Sequence, residues 1–191
     1  LNWVFMGLNV VYFTLELSED LVSARLDAMV SGVSTTEVFK DTKGTALKLK
    51  MISKRANQDG VLPGKLVVKK LSESGTTTND LRAFLKEYEI KTGIRPDAVV
   101  VDYLDLMYPN NRSIDVSNAF TKDKFVSEEM RALAGEYQYL FATASQLNRQ
   151  AVEAQGQFDH SHIAGGISKI NTADNVFAIF TTKTMQEQGR Y

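Results

Sequence analysis

The sequence predicts an α/β fold, a mostly parallel sheet with helices on both faces, and three observations carry that expectation. Apolar runs of strand length alternate with segments of helical periodicity. The run Ala98-Val99-Val100-Val101 has no polar alternation, the pattern of a strand buried on both sides, as in parallel sheets. Three such runs end in polar residues at Glu16, Asp102 and Ser145-Gln146, as strands do where they turn toward a loop or helix. Repeated β-α-β order implies helices on both faces, joined by right-handed crossovers.

The elements follow in order. Leu1 to Met6 before Gly7 reads as the last turns of a helix with a glycine at C′. Val10 to Leu15 is an apolar strand. Ser18 then caps a helix with Glu19 and Asp20 in its first turn, and Val22, Leu26, Met29 and Val30 share one face before Gly32. The lysine-rich stretch Val38 to Ala56 predicts one or two short helices, and turns follow at 57–60 and at Pro63-Gly64. Leu66 to Leu71 is a weaker strand. Thr77 and Asp80 form a capping-box signature for a helix that presents Leu81, Phe84, Leu85 and Tyr88 and ends near Gly93. After the strand ending at Asp102 and a loop at Tyr108 to Ser113, residues Val126, Met130, Leu133, Ala134 and Tyr137 recur at helical spacing. Tyr139 to Ala144 and Asn175 to Phe180 are the remaining strands expected.

Composition narrows the classes. With 191 residues, 43% of them hydrophobic, the chain suffices for one domain that buries roughly 70% of its unfolded surface. A net charge of -1 gives no global basic field, so any nucleic-acid contact has to come from a local patch or an assembled ring. The absence of cysteine excludes disulfides and thiolate metal sites, and fits a reducing, cytoplasmic setting. No apolar run approaches the roughly 20 residues that span a bilayer, so no membrane partner is expected.

In an open parallel sheet the ligand crevice lies outside the carboxyl ends of the strands. Asp102 there suits the acid that holds magnesium on a nucleotide's phosphates. A second acid at Glu16 suits polarisation of water, and the Gln146 amide suits sensing of a γ-phosphate. The same residues also fit plain helix caps and polar loops, so strand ends alone leave both roles open. His160 and His162 flank Ser161 but lack a matched third ligand, which favours a polar loop over a metal site. Lys40, Lys43, Lys48, Lys50, Lys54 and Arg55 read as the solvated face of helices rather than a contact surface.

Three segments carry a resemblance: Tyr12-Phe13-Thr14-Leu15-Glu16-Leu17-Ser18, Val99 to Met107 with its Asp102-Tyr103-Leu104-Asp105-Leu106-Met107, and Ala144-Ser145-Gln146-Leu147-Asn148-Arg149. In order and spacing they resemble the DnaB-like replicative DNA helicases, especially the phage versions. Arg131 to Ala134 and the stretch Ile163 to Asp174 add to it, so that the likeness spans nearly the whole chain. The resemblance implies a RecA-like three-layer sandwich, an ATPase using ATP and Mg2+, a hexameric ring on single-stranded DNA, replication partners such as primase, and a place in the bacterial host cytoplasm. It would make Asp102 the magnesium-side acid acting through water, Glu16 the catalytic base, and Gln146 the group that reports the γ-phosphate to the DNA-binding loops. Asn148 and Arg149 complete the third motif. Asp105 stands where bacterial members commonly have glutamine. The segments Tyr108 to Lys124 and Gln150 to Ile170 fall where the family places loops facing DNA, which makes Arg112, Lys122, Lys124, Arg149 and Lys169 the candidate phosphate contacts.

One motif of the family is missing. No Gly-Lys-Ser or Gly-Lys-Thr occurs in the chain; at Gly64-Lys65 the next residue is Leu66, position 59 is Asp, and a strand follows. The expectation is a single motor domain over residues 1–191, partial at both ends and lacking the phosphate-loop strand, which alone would bind nucleotide weakly. The family's arginine finger is expected beyond Tyr191, and Arg190 does not match it. A recombinase-type or clock-type ATPase on the same core is the nearest alternative. A response-regulator receiver, suggested by Asp105-Leu106-Met107-Tyr108-Pro109, leaves Ser145 to Arg149 unexplained.

Overall fold

The computed structural model describes residues 1–60, 62–146, 167–179 and 183–189. Its four strands, β1 (Val10–Thr14), β2 (Leu66–Lys70), β3 (Ala98–Asp102) and β4 (Leu140–Thr143), form one sheet in the order β2-β1-β3-β4. Every pairing is parallel, as the unbroken apolar runs predict. The register aligns Thr14 with Lys70 on one side and Asp102 on the other, and Val101 with Thr143. All four carboxyl ends therefore lie along one edge.

Local signals set the helices between them. The short α1 (Asn2–Phe5) precedes β1. In α2 (Glu19–Ser31) the Ser18 hydroxyl accepts the Leu21 N–H at 3.2 Å, and Gly32 closes the helix at φ +70°. The lysine-rich stretch resolves into two helices, α3 (Thr35–Lys40) and α4 (Thr42–Gln58), divided at Asp41. Asp41 ends the first and caps the second, its carboxylate accepting the Gly44 N–H at 2.9 Å. The cations of this stretch are exposed, as expected for a solvated face. In α5 (Thr78–Thr92) the Asp80 carboxylate accepts both the Thr77 N–H and its hydroxyl at 2.8 Å. A single 3-10 turn, Leu104–Leu106, follows β3, and α6 (Ala119–Tyr137) leads into β4. Beyond β4 lie α7 (Ile167–Thr172) and α8 (Lys183–Glu187).

Strand alternation divides the core in two. Val11, Phe13, Leu15, Val99 and Val101 pack with Leu81 and Leu85 of α5 and Val126, Met130 and Leu133 of α6. The opposite face holds Val10 and Ala98 against Val4, with Trp3, Leu8, Leu66 and Val100 partly buried around them. That second face is covered near the start of the strands by α1, while Tyr12 and Asp102 farther along remain half-buried.

Two local expectations are corrected. Met29, placed on the apolar face of α2 by spacing, is 71% exposed because only Val22, Ala24 and Ser31 of that helix reach the interior. Residues 175–179 form no strand. A ladder needs a neighbour, and among the described residues none pairs with this segment; Phe177 and Ile179 are 86% and 91% exposed. Among the described residues no helix is long and apolar enough to cross a membrane.

Candidate functional site

The carboxyl edge gathers the three strand-end residues. Glu16 lies two residues past β1, Asp102 ends β3, and Gln146 lies three residues past β4. The Leu15 N–H donates to the Asp102 carbonyl at 2.8 Å, extending the β1–β3 ladder one step toward Glu16. At the other junction the Thr143 hydroxyl donates to the Val101 carbonyl at 2.8 Å and accepts the Leu104 N–H at 3.1 Å. Both neighbours of β3 are thus pinned where the polar residues emerge.

Two tyrosines organise the edge, and sequence reasoning missed both. The Tyr12 hydroxyl donates to Asp102 Oδ2 at 2.6 Å. Parallel in-register pairing puts Tyr12 opposite Val100, so its ring and the Asp102 side chain stand on the same face of adjacent strands. Burial raises the Tyr12 hydroxyl above its ordinary pKa, and the hydrogen bond to Asp102 and that carboxylate's charge raise it further. The Tyr103 hydroxyl accepts from Gln146 Nε2 at 3.0 Å. Burial also lifts its pKa, followed by the charges of Glu16, Asp105 and Asp102. Of the three predicted residues, Gln146 thus meets Tyr103 directly, and Asp102 precedes it in the chain at the same edge. The Asp102–Tyr103 peptide bond is cis. Glu16 and Gln146 are exposed, so water and ligand can reach them.

Among the described residues no three His, Cys, Asp or Glu side chains are grouped to hold a metal by themselves. Asp102 as a lone strand-end carboxylate fits a magnesium ion of the kind that keeps waters and is held largely by substrate phosphates. Tyr12 already occupies one of its oxygens.

The predicted phosphate-contact cations divide. Arg112 and Lys124 are exposed, and Lys124 Nζ stands 4.0 Å from Glu128. Lys122 and Lys169 are turned inward. The Lys169 side chain is only 6% exposed and pairs with Asp105 and, at 2.7 Å, with Asp123. Lys122 lies 3.0 Å from Asp123 and donates to the carbonyls of Asp105 and Met107. These two ammonium groups balance buried carboxylates instead of presenting charge to solvent. Asn148, Arg149, His160, His162 and Arg190 lie outside the described residues.

The structure also accounts for Gly64-Lys65. A Cβ on Gly64 would sit 2.0 Å from the Leu8 carbonyl oxygen, and the Lys65 N–H donates to Asn9 Oδ1 at 3.0 Å. The glycine serves a close backbone crossing that leads into β2, not a phosphate cradle.

Residues 3–188 match the DnaB-like helicase C terminal domain family. The chain is 28% identical over 184 residues to a DnaB-like replicative helicase of Enterobacteria phage T4; the match covers 96% of this chain and 38% of the relative. Among solved structures, a DnaB-like replicative helicase studied with its interactions with primase superposes with a TM-score of 0.67 at 17% identity, over 87% of this chain and 38% of that one. A second solved structure, of an ATPase domain, gives a TM-score of 0.65 at 18% identity, over 87% of this chain and 57% of that one. These likenesses carry the expected RecA-like arrangement of a parallel sheet and helices.

Proposed function

Because the chain belongs to the DnaB-like helicase C terminal domain family, we propose that it supplies part of the ATP-driven motor of a replicative DNA helicase. Asp102 serves as the magnesium-side acid acting through water, Glu16 as the base that orients the attacking water, and Gln146 as the reporter of the γ-phosphate. Magnesium, when bound, neutralises charge on the phosphates; the residues of this chain orient water and sense the nucleotide around it. The observation that supports these roles is that the parallel sheet brings the ends of β1, β3 and β4, and with them Glu16, Asp102 and Gln146, to one edge, where the Gln146 side chain donates to Tyr103, the residue after Asp102.

Hydrolysis belongs, in this proposal, to the whole helicase. The chain spans 38% of the phage relative's length and contains no Gly-Lys-Ser or Gly-Lys-Thr. Self-association into a hexameric ring, single-stranded DNA as track, primase as partner and a cytoplasmic setting are part of the same proposal. Arg112, Lys124 and Arg149 are its candidate phosphate contacts, whereas Lys122 and Lys169 have internal partners. The recombinase-type and clock-type alternatives lose weight beside a family match over residues 3–188.

The test is Glu16→Gln in the whole helicase. Loss of a positioned general base lowers turnover about 10² to 10⁴-fold. Nucleotide binding and ring assembly should persist in the variant. Turnover equal to wild type removes Glu16 from the role.

A further inference from the structure

Asp105 has no part in the proposed chemistry, yet more groups converge on it than on any of the three site residues. It lies in the 3-10 turn after β3. Its carboxylate accepts the Ser145 hydroxyl at 3.0 and 3.2 Å and the backbone N–H of Gln146 at 2.9 Å. It also pairs with Lys169 on α7. Lys169 Nζ donates in turn to Ser145 Oγ at 3.0 Å and lies 2.7 Å from Asp123 Oδ2 on α6. Lys122 closes the circuit, 3.0 Å from Asp123 Oδ1 and bonded to the Asp105 carbonyl. Two carboxylates and two ammonium groups thus form a neutral cluster, with side-chain exposures of 18% for Asp105, 4% for Asp123, 6% for Lys169 and 12% for Lys122.

The chemistry of this cluster is directional. An isolated buried charge is costly, so each ammonium is held tightly to its carboxylates, and displacement of Lys169 takes from the Asp105 carboxylate its ammonium partner and leaves Asp123 to Lys122. The group that Lys169 holds also fixes the backbone of Gln146. Any displacement of α7 is therefore felt at Gln146 through a single side chain.

We propose that Asp105 is a positioning residue that couples Gln146 to α7 through Lys169. The coupling rests on the assignment of Gln146 as γ-phosphate reporter and adds to it the route by which its position is tied to the neighbouring helix. Asp105→Asn is the informative change: the amide oxygen still accepts the Gln146 N–H, but the charge that holds Lys169 is gone.

Two experiments test the coupling. Hydrogen exchange on this chain reads it without activity. Asp105→Asn and Lys169→Gln should each speed exchange at the Gln146 amide and at residues 169–172 together by at least tenfold, with the β1 and β3 amides unchanged. Exchange at α7 that rises while Gln146 stays at the wild-type rate overturns the coupling. In the whole helicase the same variants should keep the KM for ATP within twofold while losing most of the stimulation of kcat by single-stranded DNA. Lys169→Arg should restore it, and the double variant should be no worse than either single one. Normal stimulation in Asp105→Asn, or effects that add in full, overturn the proposal. A wild-type helicase with no ATP turnover would instead overturn the functional assignment, leaving the exchange result to decide the coupling.

Discussion

Replacing Tyr12 with Phe removes one oxygen from the carboxyl edge and nothing else. The lost contact is a hydrogen bond of 2.6 Å to Asp102 Oδ2. Hydrogen bonds to charged acceptors contribute about 1.5 to 3 kcal/mol. Both groups here are half-exposed, so water replaces part of the interaction and the expected cost is about 1 kcal/mol at pH 7. The pH dependence is more specific. The folded chain holds the Tyr12 proton more tightly than the unfolded chain, through burial first and the Asp102 hydrogen bond second. Its contribution is therefore complete below the unfolded tyrosine pKa of about 10 and is lost as pH rises above that value. The limiting slope is about 1.4 kcal/mol per pH unit for one proton, reduced here by the partial exposure of the ring. Urea unfolding of wild type and Tyr12→Phe from pH 7 to 11 should give curves offset by about 1 kcal/mol up to pH 9 that then converge. Lysines and the other tyrosines are common to both proteins and cancel in the difference. Equal stability at neutral pH, or curves that stay parallel through pH 11, would refute the linkage between Tyr12 and Asp102.

Three further outcomes test the frame that holds the site. Leu133, fully buried between α6 and the sheet, should cost about 2 to 5 kcal/mol when cut to Ala, seen as a lower urea midpoint with unchanged slope. Gly64→Ala forces a Cβ into the Leu8 carbonyl and should cost about 1 to 3 kcal/mol, with faster amide exchange at Val10 and Leu66; wild-type exchange there would show that the crossing is looser than 2.0 Å implies. Asp80→Ala removes the acceptor of two Thr77 donors and should lower stability by about 1 kcal/mol, whereas Asp80→Asn should recover part of it by thermal melting.

Much of the frame was legible because it is written in local signals. Ser18 and the Thr77/Asp80 pair mark helix starts by chemistry that acts within three residues, and the unbroken Val99-Val100-Val101 run announces a strand covered on both sides. The placement of Glu16, Asp102 and Gln146 at one edge was legible for the same reason: each follows an apolar run, and parallel strands bring such positions together. Tyr12 and Tyr103 were not. Their roles depend on register between strands about 90 residues apart and on the path of one turn, and neither leaves a periodic trace. Residues 175–179 show the converse error, since an apolar run becomes a strand only when the chain path lays it alongside an edge, and among the described residues this segment pairs with none.

The cations and the topology point to one general lesson about what position can decide. Lys122 and Lys169 occupy segments where a basic side chain is expected to meet a polyanion, yet the fold uses both charges internally against Asp105 and Asp123. Both lie on helices, α6 and α7, and a basic position counts as a contact candidate only when no buried carboxylate competes for the same ammonium. The sheet order β2-β1-β3-β4 is equally undecided by itself, because other doubly wound folds place their first four strands in the same order. The family match over residues 3–188 separates the helicase assignment from a receiver-like one, and the surroundings of Asp105 agree with it. A phosphoacceptor carboxylate has to be open to an incoming phosphoryl group, whereas here it is filled by Ser145, the Gln146 amide and Lys169. Acetyl phosphate should therefore leave Asp105 unmodified, and a hydroxylamine-labile mass increase of one phosphoryl group on the peptide containing it would reverse that assignment.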